Sequence, residues 1–323
     1  MATHDHEKLA GPMMLKAITL KGLPYVRAVQ KVYVGTQYLY VLQMYKGSQI
    51  ISRCPMRPFA EVAQTVTVQD HMTLTNFGHG QTLDWYSHNG KDYFLVTTKP
   101  NEREWSTQVG RIQYKAGATI NGNTDITRLS SINRAQKSGA SIGTLVRTEA
   151  AVSTSGKEIL ILAIADNGAG KNAKSVFTRY KLKELNDLWD KYEKKNISAG
   201  DEAVKRTAID TLTINGSLYS KTMNHSIQGL DLSDGAAIYI SSGAQGTQPA
   251  ISKSYWSSNT INKGKYVDSR YWPISKGLVE TEGLQLKGKY LFLTLAMHSN
   301  PDGHPDNHVA ENLVYYVNKD VFG

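Results

Sequence analysis

Residues 226–232 read SIQGLDL, and the Gln228-Gly229 pair inside them decides the fold. A Gln-Gly pair is an odd polar opening for a strand that runs into a tight turn. It gains meaning because the chain repeats its surroundings. Five segments share one grammar: a Gln or Glu, a short alternating strand, a polar turn, then a dense apolar run. They are QKVYVGTQYLYVLQM from Gln30, QTLDWYSHNGKDYFLVT from Gln81, EAAVSTSGKEILILA from Glu149, QGLDLSDGAAIYIS from Gln228 and EGLQLKGKYLFLTLA from Glu282. Self-similarity of this kind marks a repeat architecture.

The turns carry hairpin chemistry at Asn89-Gly90, Ser155-Gly156, Asp234-Gly235 and Lys287-Gly288, pairs that supply the positive φ a tight hairpin needs. Each apolar run, such as Tyr290-Leu291-Phe292-Leu293, is apolar on both faces. A strand of that kind must be covered on both sides. More polar third strands follow near Ile50–Met56, Val109–Tyr114, Ser175–Leu182, Ala250–Trp256 and Leu313–Asn318. The repeat starts lie 51, 68, 79 and 54 residues apart, room for three or four strands each. The expectation is an all-β, five-bladed propeller spanning 1–323 as a single domain. Leu15–Leu20 would supply the outer strand of the last blade and close the ring. The alternative is a two-domain β-sandwich protein.

One segment breaks the pattern. LKELNDLWDKYEKK, 182–195, places Leu185, Leu188, Trp189 and Tyr192 at helical spacing, which predicts a short amphipathic helix in the third-blade excursion, packed on the blade edge. The following NISAGDEAVKRT, 196–207, reads as a polar loop.

The chain has 323 residues, 37 Lys and Arg against 28 Asp and Glu, and a net charge of +9. That balance favours anionic partners: nucleic acid, teichoic acid or anionic lipid. Cys54 is the single cysteine, which excludes an intrachain disulfide and a cysteine-based zinc site; it reads as a small buried residue. The N-terminus lacks the apolar run of a secretory signal, and no stretch approaches 18 consecutive apolar residues.

Aligned by the repeat, Gln30, Gln81, Glu149, Gln228 and Glu282 fall in one column. The first strand of each propeller sheet lines the axis, so these five side chains would ring it near one mouth. Such groups can satisfy one another, the backbone or trapped water. They can also hold a ligand or cation, with Glu149 and Glu282 as the charges. His79 and His225 lie close to the ring residues in sequence, and Phe77, Trp85, Tyr86 and Trp256 supply aromatic faces. Ligand contact is therefore assigned to the five ring residues with His79, Trp85 and His225. Glu149 and Glu282 are also the natural pair for glycoside hydrolysis, which needs two suitably spaced carboxylates.

Other candidates are weaker. Asp302, His304, Asp306 and His308 fall in a Pro/Gly-rich segment that reads as a fifth-blade loop. NGAGKN, 167–172, lacks the first glycine and the Ser/Thr of a phosphate-binding loop and reads as a hairpin tip. No metal site and no cofactor is assigned.

The stretches QKVYVGTQYLYVLQ, NTDITRLSSINRA, EAAVS, SIQGLDL with IYISS, and VETEGLQL with YLFLTLAMHS together resemble the helveticin J family, the large heat-labile class III bacteriocins of lactobacilli. They cover most of the chain in the same order. The resemblance implies a secreted antibacterial protein acting on related Gram-positive bacteria, without a recognised peptidoglycan-hydrolase domain. Taken with the basic charge, the expected partner is the bacterial envelope, as teichoic acid, peptidoglycan or anionic lipid, with no nucleic acid expected. The family more often has His two residues before the ring position in the second and third repeats. His79 keeps it, whereas Arg147 stands in the third, which weakens any essential histidine pair.

Overall fold

The strand Glu158–Asp166 shows why the chain closes on itself. In a computed structural model of the protein, Ile159, Ile161, Ala163 and Ala165 point into one apolar cluster and Leu160, Leu162 and Ile164 into another. All seven are fully buried. Alternation of period two thus gives each middle strand two cores, one per face. The structure describes residues 11–166, 172–258, 260–261 and 263–323; the hairpin tip expected at NGAGKN lies almost wholly outside them.

Five sheets result, with five apolar clusters between them, one at each junction of neighbouring sheets. This is a five-bladed β-propeller, not a pair of sandwiches. Counting from the axis, blade 1 comprises Val29–Val34, Tyr38–Tyr45, Ser48–Pro55 and Asp70–Thr75. Blade 2 holds Asp84–His88, Lys91–Pro100, Ser106–Ile112 and Thr127–Ser130. In blade 3 the order is Thr144–Val152, Glu158–Asp166, Asn172–Lys181 and Ala208–Asn215. Blade 4 runs Gly229–Leu232, Ile238–Ser242, Ala250–Ser254 and Lys263–Tyr266. Blade 5 has Val279–Lys287, Tyr290–His298, Val309–Asn318 and, as its outer strand, Leu15–Lys21. Leu15–Lys21 pairs antiparallel with Val309–Asn318, so the N-terminal strand closes the ring as expected.

Three outer edges carry a fifth, parallel strand. Gln64–Thr67 lies on Leu15–Lys21, Thr119–Asn121 on Asp70–Thr75, and Asn196–Ser198 on Thr127–Ser130. Each comes from the excursion of the following blade and reaches back to cover its predecessor's free edge, which would otherwise offer unpaired backbone groups. The last of these falls in 196–207, which also contains a helical turn, Glu202–Lys205. That segment is therefore structured, not a plain loop.

The helix in the third-blade excursion is Leu182–Lys191, four residues shorter than its sequence pattern. Leu185 and Trp189 are buried, Leu188 packs partly, and Tyr192 is exposed beyond its end. Asn186 anchors the helix, its Oδ1 accepting from the Tyr86 hydroxyl at 2.7 Å and from Arg111 at 2.9 Å.

The hairpin signals hold with one shift. Asn89 and Gly90 both adopt positive φ, 49° and 74°, as a two-residue turn requires. In the fourth blade the positive φ falls on Ala236, not Gly235.

Candidate functional site

The axis is lined by the five inner strands. Glycine in SIQGLDL serves close approach: a Cβ on Gly229 would lie 2.7 Å from the Gly283 Cα, and one on Gly283 would lie 2.6 Å from the Gln30 carbonyl oxygen. Blades 4, 5 and 1 therefore meet backbone to backbone at the axis, and only glycine permits it.

All five residues of the polar column converge there. Gln30 Nε2 donates to Glu282 Oε1 at 3.1 Å. Gln81 Nε2 faces Gln228 Oε1 at 2.9 Å, Glu282 Oε2 at 3.2 Å and Gln30 Oε1 at 3.4 Å. Glu149 Oε2 accepts from the Gln81 backbone N–H at 3.0 Å and the Thr82 hydroxyl at 2.7 Å. Gln30, Gln81, Glu149 and Glu282 are buried, and Gln228 is half-buried. His79 joins them, donating from Nε2 to Gln30 Oε1 at 2.8 Å. His225 does not: it is exposed on the loop ahead of blade 4, at φ 51°.

The residue that completes the ring is Arg147, which the column does not contain. Its guanidinium is fully enclosed and holds Glu149 Oε1 through Nε and Nη2 at 3.1 and 3.0 Å. It also donates to Gln81 Oε1 at 2.5 Å and to the Ile227 carbonyl at 3.1 Å, and it stacks 4.1 Å over Trp105. Trp105 in turn stacks on His79 at 4.3 Å. Burial alone would lower the Arg147 pKa, but Glu149 and Tyr219 outweigh it and hold it above the usual arginine value. Burial, with Arg147 nearby, drives the His79 imidazole down to about 4, so it is neutral at pH 7. Burial and then Glu280 push the Glu282 carboxyl well above the ordinary carboxylate range, against the hydrogen bonds from Gln81 and Gln30.

A second polar tier lies further along the strands. Lys31 Nζ sits 2.6 Å from Asp84 Oδ1, with both side chains buried. Asp84 Oδ2 accepts from the Val152 N–H at 2.9 Å. Asp231 accepts from Leu286 at 2.6 Å and Leu232 at 2.7 Å, and Gln285 Oε1 accepts from Val34 at 2.6 Å. An inner strand has no ladder partner on its axial side, so side chains of neighbouring blades satisfy its amides. Burial, with Asp84, raises the Asp231 carboxyl; burial alone would lower Lys31, but Asp84 and Asp231 hold it up. The signal for this tier is the repeat itself: Asp84, Asp231 and Gln285 each stand three residues past a ring position.

The inner strands end at an open mouth, roughly 13 Å from the ring at 3.3 Å per residue. A cavity of about 380 Å³ opens there, with Tyr33, Asp84, Trp85, Ser155, Asp231 and Gln285 among its walls. Trp85 therefore belongs to the mouth opposite the ring, with the buried Tyr86 beside it. Phe77 is in the core between blades 1 and 2, and Trp256 lies under Arg179, bonded to Asp210 on the outer strand of blade 3.

Chemically, the ring is a closed network. Glu149 and Glu282 are 1% and 2% exposed and all four of their oxygens accept hydrogen bonds within the protein. Among the described residues one cluster has metal-binding spacing, His88 with Asp187 and Asp190. Its carboxylates are already held by Arg111 at 2.5 Å and Lys183 at 2.6 Å, which do a cation's work there. Asp302, His304 and Asp306 are exposed on a blade 5 loop, where His308 bonds Ser299. Cys54 is buried and its thiol is pushed up to about 12 by burial and Asp70, which makes it unreactive.

Fold and axis together define a five-bladed propeller whose axis is sealed by a polar network at one end and open at the other. The family model for bacteriocin helveticin-J matches residues 14–320, all five blades, and the chain belongs to that family. It is 28% identical to bacteriocin helveticin-J of Lactobacillus helveticus, over 90% of this chain and 92% of that one. Among solved structures, an exo-beta-1,3-galactanase from Phanerochaete chrysosporium is similar at a TM-score of 0.49 and 8% identity, covering 95% of this chain and 64% of that one. A GH43_1 enzyme from Xanthomonas citri is similar at 0.45 and 10%, covering 94% and 90%.

Proposed function

We propose that this chain is a secreted bacteriocin that captures a cell-envelope component of related Gram-positive bacteria and kills without cutting the wall. The observation that carries this reading is the family match across all five blades. The net charge of +9 concentrates the protein on walls rich in teichoic acid or on anionic lipid. Peptidoglycan is the third candidate surface. Of the ring residues, Gln228 is half-buried and Gln30, which His79 bonds, lines a cavity of about 530 Å³, so these two are the ones open to a ligand.

The test is capture of the full chain on purified peptidoglycan, teichoic acid and anionic vesicles across a salt series, alongside growth inhibition. Capture by at least one surface, with steep salt dependence for a charge-driven contact, is expected. The competing reading is a glycan hydrolase using Glu149 and Glu282. It predicts soluble sugars released from purified walls and no release by Glu149→Gln; any such release overturns the non-lytic proposal.

A further inference from the structure

We propose that the open axial mouth is a binding site for an uncharged saccharide, with Trp85 and Tyr33 as its stacking faces. The inference rests on the envelope-capture reading and names the chemistry that this mouth would recognise.

The cavity has the volume of a small-ligand site, about 380 Å³. Trp85 is 38% exposed although it belongs to an inner strand whose neighbours Asp84 and Tyr86 are buried. A large aromatic left open in a concavity is unusual where the rest of the axis is closed. The Tyr33 ring, from blade 1, stands 6.3 Å from it at a 38° tilt. The two rings form one apolar wall of the size a pyranose face covers.

Polar groups converge on the same space. The Trp85 indole N–H, the Tyr33 hydroxyl and the Gln285 amide N–H carry no hydrogen bond among the described residues. Asp84 and Asp231 use one lone pair on each oxygen within the fold and keep the others. Free donors and free acceptors side by side suit hydroxyl groups, which need both.

Charge selects against phosphate. Of the two carboxyl groups that line the cavity, Asp84 is paired with the buried Lys31, and Asp231 is pushed up to about 8 by burial and Asp84. The one lining cation, Lys287, is committed to the carbonyls of Val34 and Gly35 at 2.7 and 2.6 Å. An anion entering here would be desolvated with no free ammonium to receive it. The basic character of the chain therefore acts elsewhere on its surface, and this mouth reads neutral sugar.

Titration calorimetry of the full chain with neutral disaccharides (diacetylchitobiose, cellobiose, maltose and galactobiose), and with glycerol 1-phosphate in parallel, tests the proposal. At least one neutral sugar should bind. Trp85→Ala should weaken it roughly tenfold, about 1.4 kcal/mol, with an unchanged melting temperature. Ser155→Trp, on an exposed turn at the cavity wall, should block it without touching the aromatic pair. No binding by any neutral sugar, binding that survives both variants, or displacement by glycerol 1-phosphate overturns the proposal. Sugar binding without capture on whole walls breaks the envelope reading alone, whereas wall capture without sugar binding breaks this inference alone.

Discussion

The two ends of the propeller axis are made by the same five strands and solve opposite problems. At the ring end, an arginine, two glutamates and two glutamines are packed away from water, with Gln228 half-buried beside them, and they spend their hydrogen bonds on one another. At the mouth end, an exposed indole, a phenol and an amide keep theirs. The difference teaches where to look for recognition. A polar side chain on the axis is available to a partner only when the neighbouring blade has not already claimed it.

The largest expected effect comes from breaking the sealed end. Arg147→Ala leaves Glu149 buried with its countercharge gone and should cost about 3–5 kcal/mol of stability, read as a fall in denaturant midpoint. Killing should fall only in proportion to the unfolded fraction. Lys31→Met, one tier along, should cost about 3 kcal/mol by stranding Asp84, and Lys31→Met/Asp84→Asn should recover most of it. If the double variant is no better than the single one, Lys31 and Asp84 do not act as a unit.

A smaller effect concerns pH. His79 is held neutral, with its folded value near 4 below the unfolded value near 6.5. The unfolded chain thus binds the extra proton between these values, and stability is lost as pH falls through that window, by about 2 kcal/mol between pH 7 and 4.5. Glu282 acts oppositely: its raised folded value makes stability fall as pH rises from the ordinary carboxylate range. His79→Gln keeps a donor for Gln30 and removes the first contribution only, so its acid loss should be shallower than that of the wild type. The smallest effect belongs to the open end: Trp85→Ala should change stability within about 0.5 kcal/mol while wall capture falls. A large loss of stability in Trp85→Ala would make the mouth another structural tier and erase the contrast.

Much of this was legible in the residues. The recurrence of Gln or Glu before an alternating strand placed all five blades, their third strands and the ring-closing Leu15–Leu20, because strand alternation and hairpin turns are local signals. The ring column was legible for the same reason. Arg147 was not: two residues upstream of Glu149, it is the member that turns a column of amides into a closed network, and nothing in its own neighbourhood announces a buried cation. Trp85 was placed with the ring on its sequence position, whereas four residues of extended strand carry it to the far mouth. His225 sits near Gln228 in sequence but points its loop to solvent.

By itself, then, the sequence determined the blade count, the closure and the polar column, since each depends on periodicity along one stretch of chain. Only the tertiary structure decided which polar groups are spent and which are free. That depends on partners far away in the chain, such as Gln30 with Glu282, 252 residues apart, or Gln81 with Arg147, 66 residues apart. Partnership of that kind is a property of the closed ring, because no inner strand can satisfy its own axial edge.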